Sequence, residues 1–165
     1  MEAVGREAGE NKALIRYYFG SKNGLLLALV DELVADTLRD TRKMLSALST
    51  QEDRSRLVAE TAEMILGDKE SYRILFDLLP RLLENPSLAR QLAELYRGYR
   101  ELNTQALWGD RPEEAPEPVR NIAAMTVALS DGLAVQLLAE PSSVDVTAAL
   151  AMWRSFVESV LASAG

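Results

Sequence analysis

The sequence of 165 residues contains no cysteine and no histidine. Because cysteine is absent, the chain has no disulfide framework and no thiol chemistry, which fits a reducing cytoplasm. Because histidine is absent, Ser-His-Asp and Cys-His catalytic machinery and ordinary zinc sites are excluded. The sequence also lacks a glycine-rich phosphate loop and a dinucleotide fingerprint. We therefore expect a cytoplasmic protein that is not an enzyme and that carries no metal and no cofactor.

Two further patterns are missing. The longest uninterrupted apolar runs, such as Leu25 to Val30, are far too short to span a membrane, and the chain opens without a charged-then-apolar targeting segment. No window alternates apolar and polar residues with a period of two for long enough to make a strand. Since hydrophobic residues make up 48% of the chain, which is ample for a core, the sequence predicts a soluble, all-α fold.

The net charge of −7 is unfavourable for a protein that binds nucleic acid, but the charge is unevenly distributed. Residues 1–22 hold four cations and three acids, which leaves +1, so the remaining residues carry −8. Affinity for DNA depends on the face that contacts it rather than on the total charge. The first 22 residues therefore form a weakly basic segment on an acidic body.

The first 22 residues also contain the most informative local pattern. Gly9 and Gly20 bracket a segment too short to form a helix alone in water, and Asn11 is a good N-cap. We predict a short helix from Lys12 to Phe19, followed closely by a long one. Its apolar stripe consists of Leu14, Ile15, Tyr18 and Phe19. Its outward face consists of Lys12, Ala13, Arg16 and Tyr17. Two cations and a phenol hydroxyl suit contacts with phosphates and base edges.

Residues 6–9 (Arg-Glu-Ala-Gly), the short helix, residues 17–22 (Tyr-Tyr-Phe-Gly-Ser-Lys) and a leucine-rich helix follow one another in this order. The whole string resembles the tetracycline-repressor (TetR) family of one-component regulators, in which it forms the second half of a helix-turn-helix. The resemblance implies that residues 12–19 are the recognition helix and that Tyr18 and Lys22 contact phosphates. The candidate DNA-binding residues are Asn11, Lys12, Ala13, Arg16, Tyr17, Tyr18 and Lys22.

An ordinary structural role stays open for several of these side chains. Phe19 is expected in the core, Tyr18 is divided between core and DNA, and Lys22 could be a solvated lysine. The head of the family has three helices, and the resemblance leaves the first missing here and the second a stub. Apolar residues of the head should then be partly exposed, namely Val4, Ala8, Leu14, Ile15 and Tyr18. We expect an incomplete DNA-binding head, residues 1–22, on a regulatory body, residues 23–165.

The body begins with a long amphipathic helix, predicted from about Lys22 to Leu48. Ser49 and Glu52 have the spacing of a capping box, so the next helix should start there, and it should end at Gly67. In the family, the long helix links the DNA-reading head to the regulatory body.

Proline and glycine mark the boundaries of the helices that follow. The helix predicted from Asp68 to Leu83 should kink or split at Pro80, which lacks a backbone donor. The pair Asn85-Pro86 is a strong start signal for a helix that continues to Trp108 and stops at Gly109.

The last third of the chain is predicted to contain one linker and two helices. Asp110 to Pro118 holds three prolines and four acids, and we expect it to be exposed and mobile. A helix should run from about Pro118 to Ala139, and Asp145 should cap the last helix.

The two final helices are unusually apolar for surface helices and contain small residues that let backbones approach closely. They can be buried in their own monomer or meet the same pair of a second copy in a four-helix bundle, and we favour the dimer. The pattern Leu129-Ser-Asp-Gly-Leu133 is similar to the dimerisation helices of the TetR family, whose two heads must reach sites one DNA turn apart. The candidate interface residues are Leu129, Leu133, Gln136, Leu137, Trp153, Phe156, Val157 and Val160.

The middle helices carry most of the aromatic residues. Members of the family usually bind a small, largely apolar effector among these helices, and the resemblance implies such a site here. For each residue, filling of the core is the ordinary alternative. The candidate ligand-binding residues are Met64, Tyr72, Phe76, Tyr99, Asn103, Trp108 and Met125.

The leading hypothesis is a homodimeric TetR-like transcriptional regulator, a repressor that a small apolar effector releases from double-stranded operator DNA. The alternative is a truncated ligand-binding and dimerisation module without competent DNA binding. Sequence-specific, salt-dependent binding to DNA separates the two hypotheses.

Overall fold

A computed structural model describes residues 6, 7, 9, 12–20, 24, 25, 28, 38–109 and 111–164. All regular secondary structure within these ranges is helical, which confirms the predicted all-α fold. The chain divides into two compact units, Met1–Thr37 and Leu38–Gly165. The predicted boundary between residues 22 and 23 lies at a point that the described ranges do not cover, so it stays a prediction.

The first unit contains the short helix that the glycine pattern predicted. Helix α1 spans Lys12–Phe19, and the backbone N–H of Gly20 donates to the carbonyl of Arg16 over 2.9 Å to close its last turn. Gly20 has a φ of 65°, a left-handed conformation that glycine adopts without steric cost. The glycine therefore ends the helix as predicted.

The second unit begins with the helical residues 38–46, which we call the connector. Five long helices and a short turn of 3₁₀-helix make up the rest of the helical structure described in this unit. The elements are α2 (Gln51–Gly67), α3 (Lys69–Glu84), α4 (Pro86–Trp108), the 3₁₀ turn Pro112–Glu114, α5 (Glu117–Ala139) and α6 (Val146–Ala164). Helix α4 packs extensively along α5 and also contacts α2 and α3, so it lies at the centre of the unit.

Three helix-end predictions are confirmed by side-chain and backbone geometry. The Oδ1 atom of Asn85 accepts hydrogen bonds from the backbone N–H groups of Ser87 and Leu88 at the start of α4. Gly109 ends the same helix with a φ of 112°. Asp145 caps α6 by accepting from the N–H of Ala148 at 3.0 Å.

The start of α2 differs from the prediction by one residue. Thr50, rather than Ser49, accepts from the N–H group three residues on, and its hydroxyl also donates to the carboxylate of Asp53 over 2.7 Å. Glu52 pairs instead with Arg56 at 3.7 Å. Thr50 and Asp53 have the same three-residue spacing as Ser49 and Glu52, so spacing alone does not show which pair caps the helix.

Helix α3 does not split at Pro80, since it continues through this residue to Glu84, and the kink that was the other expectation stays a prediction. Pro80 is exposed, so water can reach the carbonyl that loses its partner. The linker expected from Asp110 to Pro118 is shorter than predicted. Ala115 is only 2% exposed and its carbonyl accepts from Arg120, so the middle of this segment is anchored to the body.

Among the described residues of the second unit, two apolar groups differ in composition. The main apolar cluster joins α2, α3, α5 and α6 through the buried residues Leu66, Tyr72, Leu133, Ala134, Leu137 and Leu150. The smaller connector cluster joins the connector to α4 and α2. It has the buried residues Leu45, Leu102 and Ala106, with Leu38, Leu57 and Val58 packed against them.

Candidate functional site

A carboxylate lies among aromatic side chains where α4 packs on α5. The hydroxyl of Tyr96 on α4 donates to Oδ2 of Asp131 on α5 over 2.8 Å. Asp131 is partly buried, and burial raises the pKa of its carboxyl, whereas the bond from Tyr96 acts in the opposite direction. Burial therefore works against the charged form of this side chain, and the bond from Tyr96 works in its favour.

Two more phenols lie close enough to respond to this carboxylate. Burial raises the pKa of Tyr72 on α3, and the negative charge of Asp131 raises it further. The same two causes, in the same order, raise the pKa of Tyr99 on α4. For Tyr96, burial is again the largest cause, followed by its hydrogen bond to Asp131. We call Tyr72, Tyr96, Tyr99 and Asp131 the tyrosine–aspartate cluster.

An aromatic wall borders this cluster. The ring of Phe76 stacks on Tyr72 with ring centroids 5.7 Å apart and an angle of 28° between the planes. Tyr72 itself belongs to the main apolar cluster, against which Phe76 also packs. Ring faces and a carboxylate both attract a positive charge, and a carboxylate accepts hydrogen bonds. The arrangement suits a small molecule with an apolar body and one cationic or donor group.

The predicted ligand-binding residues fall into two groups. Tyr72, Phe76 and Tyr99 lie in or beside the cluster. Asn103 is partly buried, and its amide donates to the carbonyl of Tyr99 within the same helix at 2.9 Å. No contact with the cluster is described for the remaining predicted residues. Trp108 is 48% exposed about 18 Å along α4 from Tyr96, Met125 is 50% exposed, and the side chain of Met64 lies outside the described set.

Sequence reasoning missed the two residues at the centre of the cluster, Tyr96 and Asp131. A signal for Asp131 was present, because Arg120 and Asp131 are the only charged residues from 118 to 139. A lone carboxylate on an otherwise apolar helix is expensive to bury without a partner. Tyr96 could not be distinguished from the other tyrosines, because its role depends on how α4 and α5 pack.

The predicted DNA-binding residues that the structure describes lie on an exposed surface of α1. Ala13, Arg16, Tyr17 and Tyr18 are all exposed. Tyr17 is 81% and Tyr18 70% exposed, and their rings form an edge-to-face pair with centroids 5.3 Å apart. Of the other predicted residues, Asn11, Lys22 and the side chain of Lys12 lie outside the described set.

The apolar side of α1 is partly open as well. Leu14 is 41% exposed, in agreement with the expected partial exposure of the head, and Phe19 is 37% exposed although a core position was predicted for it. A helix of eight residues has room to bury only one narrow stripe, so the ring at its last position reaches the edge of that stripe. Val4, Ala8 and the side chain of Ile15 lie outside the described residues.

Helices α5 and α6 divide the predicted interface residues between two faces. Leu133, Leu137 and Val157 are buried within the protomer, where they pack as core. Leu129, Trp153 and Val160 are partly buried, and the indole N–H of Trp153 donates to the hydroxyl of Thr126 over 3.0 Å, which ties α6 to α5. Gln136 and Phe156 are exposed.

An apolar face of the same two helices remains open. We define the exposed apolar face as Met125, Ala128, Gly132 and Val135 of α5 with Met152 and Phe156 of α6. The α5 residues recur at alternating spacings of three and four, as in a helix-packing seam. Helix α5 is long and apolar enough to cross a membrane by length and composition, yet only 28% of its most apolar stretch is buried within the protomer. Within the part of the chain that the structure describes, no other element covers this face.

Comparison with known proteins agrees with these features. Residues 50–162 match the family described as BetI-type transcriptional repressor, C-terminal. The chain belongs to the TetR family. The HTH-type transcriptional regulator BetI of Rhizobium meliloti (strain 1021) is 26% identical over 168 residues, which cover the whole of this chain and 80% of that relative. No solved structure shows a significant match.

Membership of the TetR family makes the chain a transcriptional regulator with an all-α, TetR-like fold. The family match includes all four residues of the tyrosine–aspartate cluster and every residue of the exposed apolar face. Helix α1 lies before the matched region, within the part of the chain that the BetI relative also covers.

Proposed function

We propose that the chain is a cytoplasmic, homodimeric repressor that a small effector releases from operator DNA. The effector is largely apolar, as the resemblance to the family implies, and carries one cationic or hydrogen-bond-donating group that faces Asp131. The observation that carries the proposal is the tyrosine–aspartate cluster, since a carboxylate is retained there against the cost of burial. Costly polar groups of this kind are concentrated at binding sites.

The chemistry of the cluster favours a cation over a neutral molecule. Three phenols surround the carboxylate, and only the hydroxyl of Tyr96 forms a described hydrogen bond with it at 2.8 Å. A quaternary or protonated amine would gain both the carboxylate charge and the aromatic faces. Calorimetric titration with benzyltrimethylammonium should show binding to the chain, and the variant Asp131→Asn should lose it. Equal binding by both proteins would show that Asp131 is not part of the site.

Helix α1 supplies the proposed DNA contacts. Arg16 and the exposed phenols of Tyr17 and Tyr18 form a polar face, and such groups bind phosphates and base edges. Lys12, Ala13, Asn11 and Lys22 are proposed to complete this surface, in line with the resemblance of the helix-turn-helix string.

The exposed apolar face supports the dimer. Gly132 lies at its centre on α5, and a side chain added there would meet no atom within 4 Å, which leaves space for a second helix to approach closely. Leu129 lies on α5, and Trp153 and Phe156 lie on α6, the two helices that form this face. The variant Gly132→Arg should sediment as a monomer, whereas Gly67→Arg, a change at another open glycine, should sediment as a dimer. A wild-type monomer at micromolar concentration would contradict the proposal.

Fluorescence anisotropy with DNA that flanks the gene of this chain tests the DNA-binding half. We expect the affinity to fall steeply between about 50 and 200 mM salt, because each phosphate contact releases counterions. Arg16→Ala should reduce the slope of log affinity against log salt by about 1, while Arg154→Ala, an exposed arginine on α6, should leave it unchanged. Absence of specific binding would favour the alternative, a ligand-binding and dimerisation module.

A further inference from the structure

Among the described residues, Asp131 has no cationic partner. It is the only charged residue from 121 to 139, and the ion pairs that the structure describes do not include it. The titratable groups described beside it are phenols, those of Tyr96 and Tyr99 on α4 and of Tyr72 on α3. Because burial favours a neutral form or a pair of opposite charges, this carboxylate suits either a proton or a cation.

The surrounding helices do not supply that positive charge. Burial comes first among the causes that raise the pKa of all three phenols above the ordinary value of 10, so the phenols stay neutral where proteins are ordinarily studied. Helices α2, α3, α4 and α6 all pack on α5. Within the described part of these helices, no charged side chain shifts the pKa of Asp131. The ionisation of Asp131 therefore depends on the species that binds to it from solution.

A proton and a cation compete for the same carboxyl group. Protonation removes the negative charge that attracts a cation and turns one oxygen into a hydroxyl donor. When a cation binds the ionised group instead, the proton passes to the solvent, so each species excludes the other. Burial shifts this competition towards the proton, because it raises the pKa of the carboxyl above its ordinary 3.8.

Tyr96 shifts the same competition towards the cation. Its hydroxyl donates to Oδ2 of Asp131 over 2.8 Å, and this bond lowers the pKa of the carboxyl while burial raises it. A hydrogen bond to the charged form of a group favours that form. Without the hydroxyl of Tyr96, the carboxyl would hold its proton up to a higher pH, and a cation would bind it only above that pH.

We propose that Asp131 is a proton-linked cation site, at which a proton and the cationic effector exclude one another, and that Tyr96 sets the pH at which one replaces the other. The proposal concerns the regulation of the proposed effector site and rests on the proposed function. A given concentration of effector then releases less protein from DNA as the pH falls, because a larger share of the sites carries a proton.

Calorimetric titration of the full-length chain with benzyltrimethylammonium, whose charge does not depend on pH, tests the exchange between about pH 8 and pH 4.5. The affinity should be constant at the upper end and should fall by about tenfold for each pH unit below the raised pKa of Asp131, since one proton is displaced. Near that pKa, the measured heat should also depend on the ionisation enthalpy of the buffer. Circular dichroism at each pH shows whether the chain is folded. Equal affinity at both ends of the range, in folded protein, would overturn the proposal.

The variant Tyr96→Phe tests the residue that sets the pH of the exchange. Relative to its own affinity at pH 8, the variant should bind the cation about threefold or more weakly than wild type at the wild-type midpoint, because the carboxyl keeps its proton to a higher pH. Glu140→Gln is the matched control, since it removes an exposed carboxylate at the end of α5 and should leave the midpoint unchanged. An unchanged midpoint in Tyr96→Phe would overturn the role of Tyr96.

A measurement without ligand separates this proposal from the proposed function. Carbon-13 NMR follows protonation of the Asp131 carboxyl, whose signal is assigned by its loss in Asp131→Asn. The midpoint should lie above 3.8 and should rise further in Tyr96→Phe. A midpoint at or below 3.8 would overturn the proposal even if the cation binds. Absence of binding at every pH, with the NMR midpoints as expected, would overturn the proposed function and the exchange with it, while the effect of Tyr96 on Asp131 would stand.

Discussion

The main apolar cluster and the connector cluster belong to the same body but are built differently. The first has six buried residues contributed by four helices, with no buried charged or hydroxyl-bearing side chain except the phenol of Tyr72. The second has three buried residues and lies on the helix that also carries buried Thr104 and Gln105, opposite buried Thr41 of the connector. Both clusters are built on leucine side chains, and the second differs in having buried polar side chains beside them.

The two clusters join different sets of helices in the body. The main apolar cluster joins α2, α3, α5 and α6, and the connector cluster joins residues 38–46 to α4 and α2. The tyrosine–aspartate cluster shares elements with both. Tyr72 belongs to the main apolar cluster, and Tyr96 lies on α4, the helix that also packs against the connector.

The largest effect on stability is expected from a cavity in the main apolar cluster. Leu133 is 4% exposed, and Leu133→Ala should lower the free energy of unfolding by about 3 kcal/mol, since both transfer energy and packing are lost. Urea unfolding followed by circular dichroism measures this change. Leu83→Ala is the control, because Leu83 is 61% exposed and its truncation should cost less than about 0.5 kcal/mol. Equal losses of unfolding free energy in the two variants would show that Leu133 contributes no more to stability than an exposed leucine.

An intermediate effect is expected at Tyr96. Its hydroxyl donates to a carboxylate, so Tyr96→Phe should cost about 1–2 kcal/mol near pH 7. The carboxyl of Asp131 has a pKa raised above its ordinary 3.8, and as the pH falls through this raised value the acceptor becomes neutral and the cost should shrink. Urea unfolding of wild type and variant across this range measures both values. A cost that does not depend on pH would show that Tyr96 acts only through packing.

The smallest effect on stability is expected at Asp131 itself. Because burial raises the pKa of its carboxyl, the folded state favours the protonated form, and this stabilisation is lost as the pH rises from 3.8 through the raised value. At neutral pH, Asp131→Asn should therefore leave the free energy of unfolding unchanged or raise it by up to about 1 kcal/mol. Thermal unfolding at several pH values measures the difference. A loss of more than about 2 kcal/mol would identify Asp131 as a structural residue.

Local patterns in the sequence were sufficient to predict most of the helix ends in the described residues. Asn85-Pro86, Gly109 and Asp145 determine helix ends through neighbouring atoms, so their positions could be predicted. The alternative caps Ser49 and Thr50 and the continuous helix at Pro80 could not, because tertiary surroundings decide which cap is used and whether water reaches the freed carbonyl.

The candidate site was less predictable than the fold. The aromatic residues Tyr72, Phe76 and Tyr99 could be selected from composition, since they stand out among leucines. Their common partner Asp131 was interpreted as part of a dimerisation pattern, because its inward direction depends on how α5 rotates against α4. The contact between Gly98 and Leu38 was equally hidden, since it depends on how residues 38–46 pack on α4.

The most direct measurement is the release of bound DNA by a cation. Fluorescence anisotropy would follow the full-length chain on DNA that flanks its gene, with benzyltrimethylammonium or neutral benzyl alcohol added to wild type and to Asp131→Asn. We predict that both proteins bind the DNA, that only the cation releases wild type, and that Asp131→Asn remains bound. Equal release of both proteins, or release by benzyl alcohol as effective as release by the cation, would contradict the account.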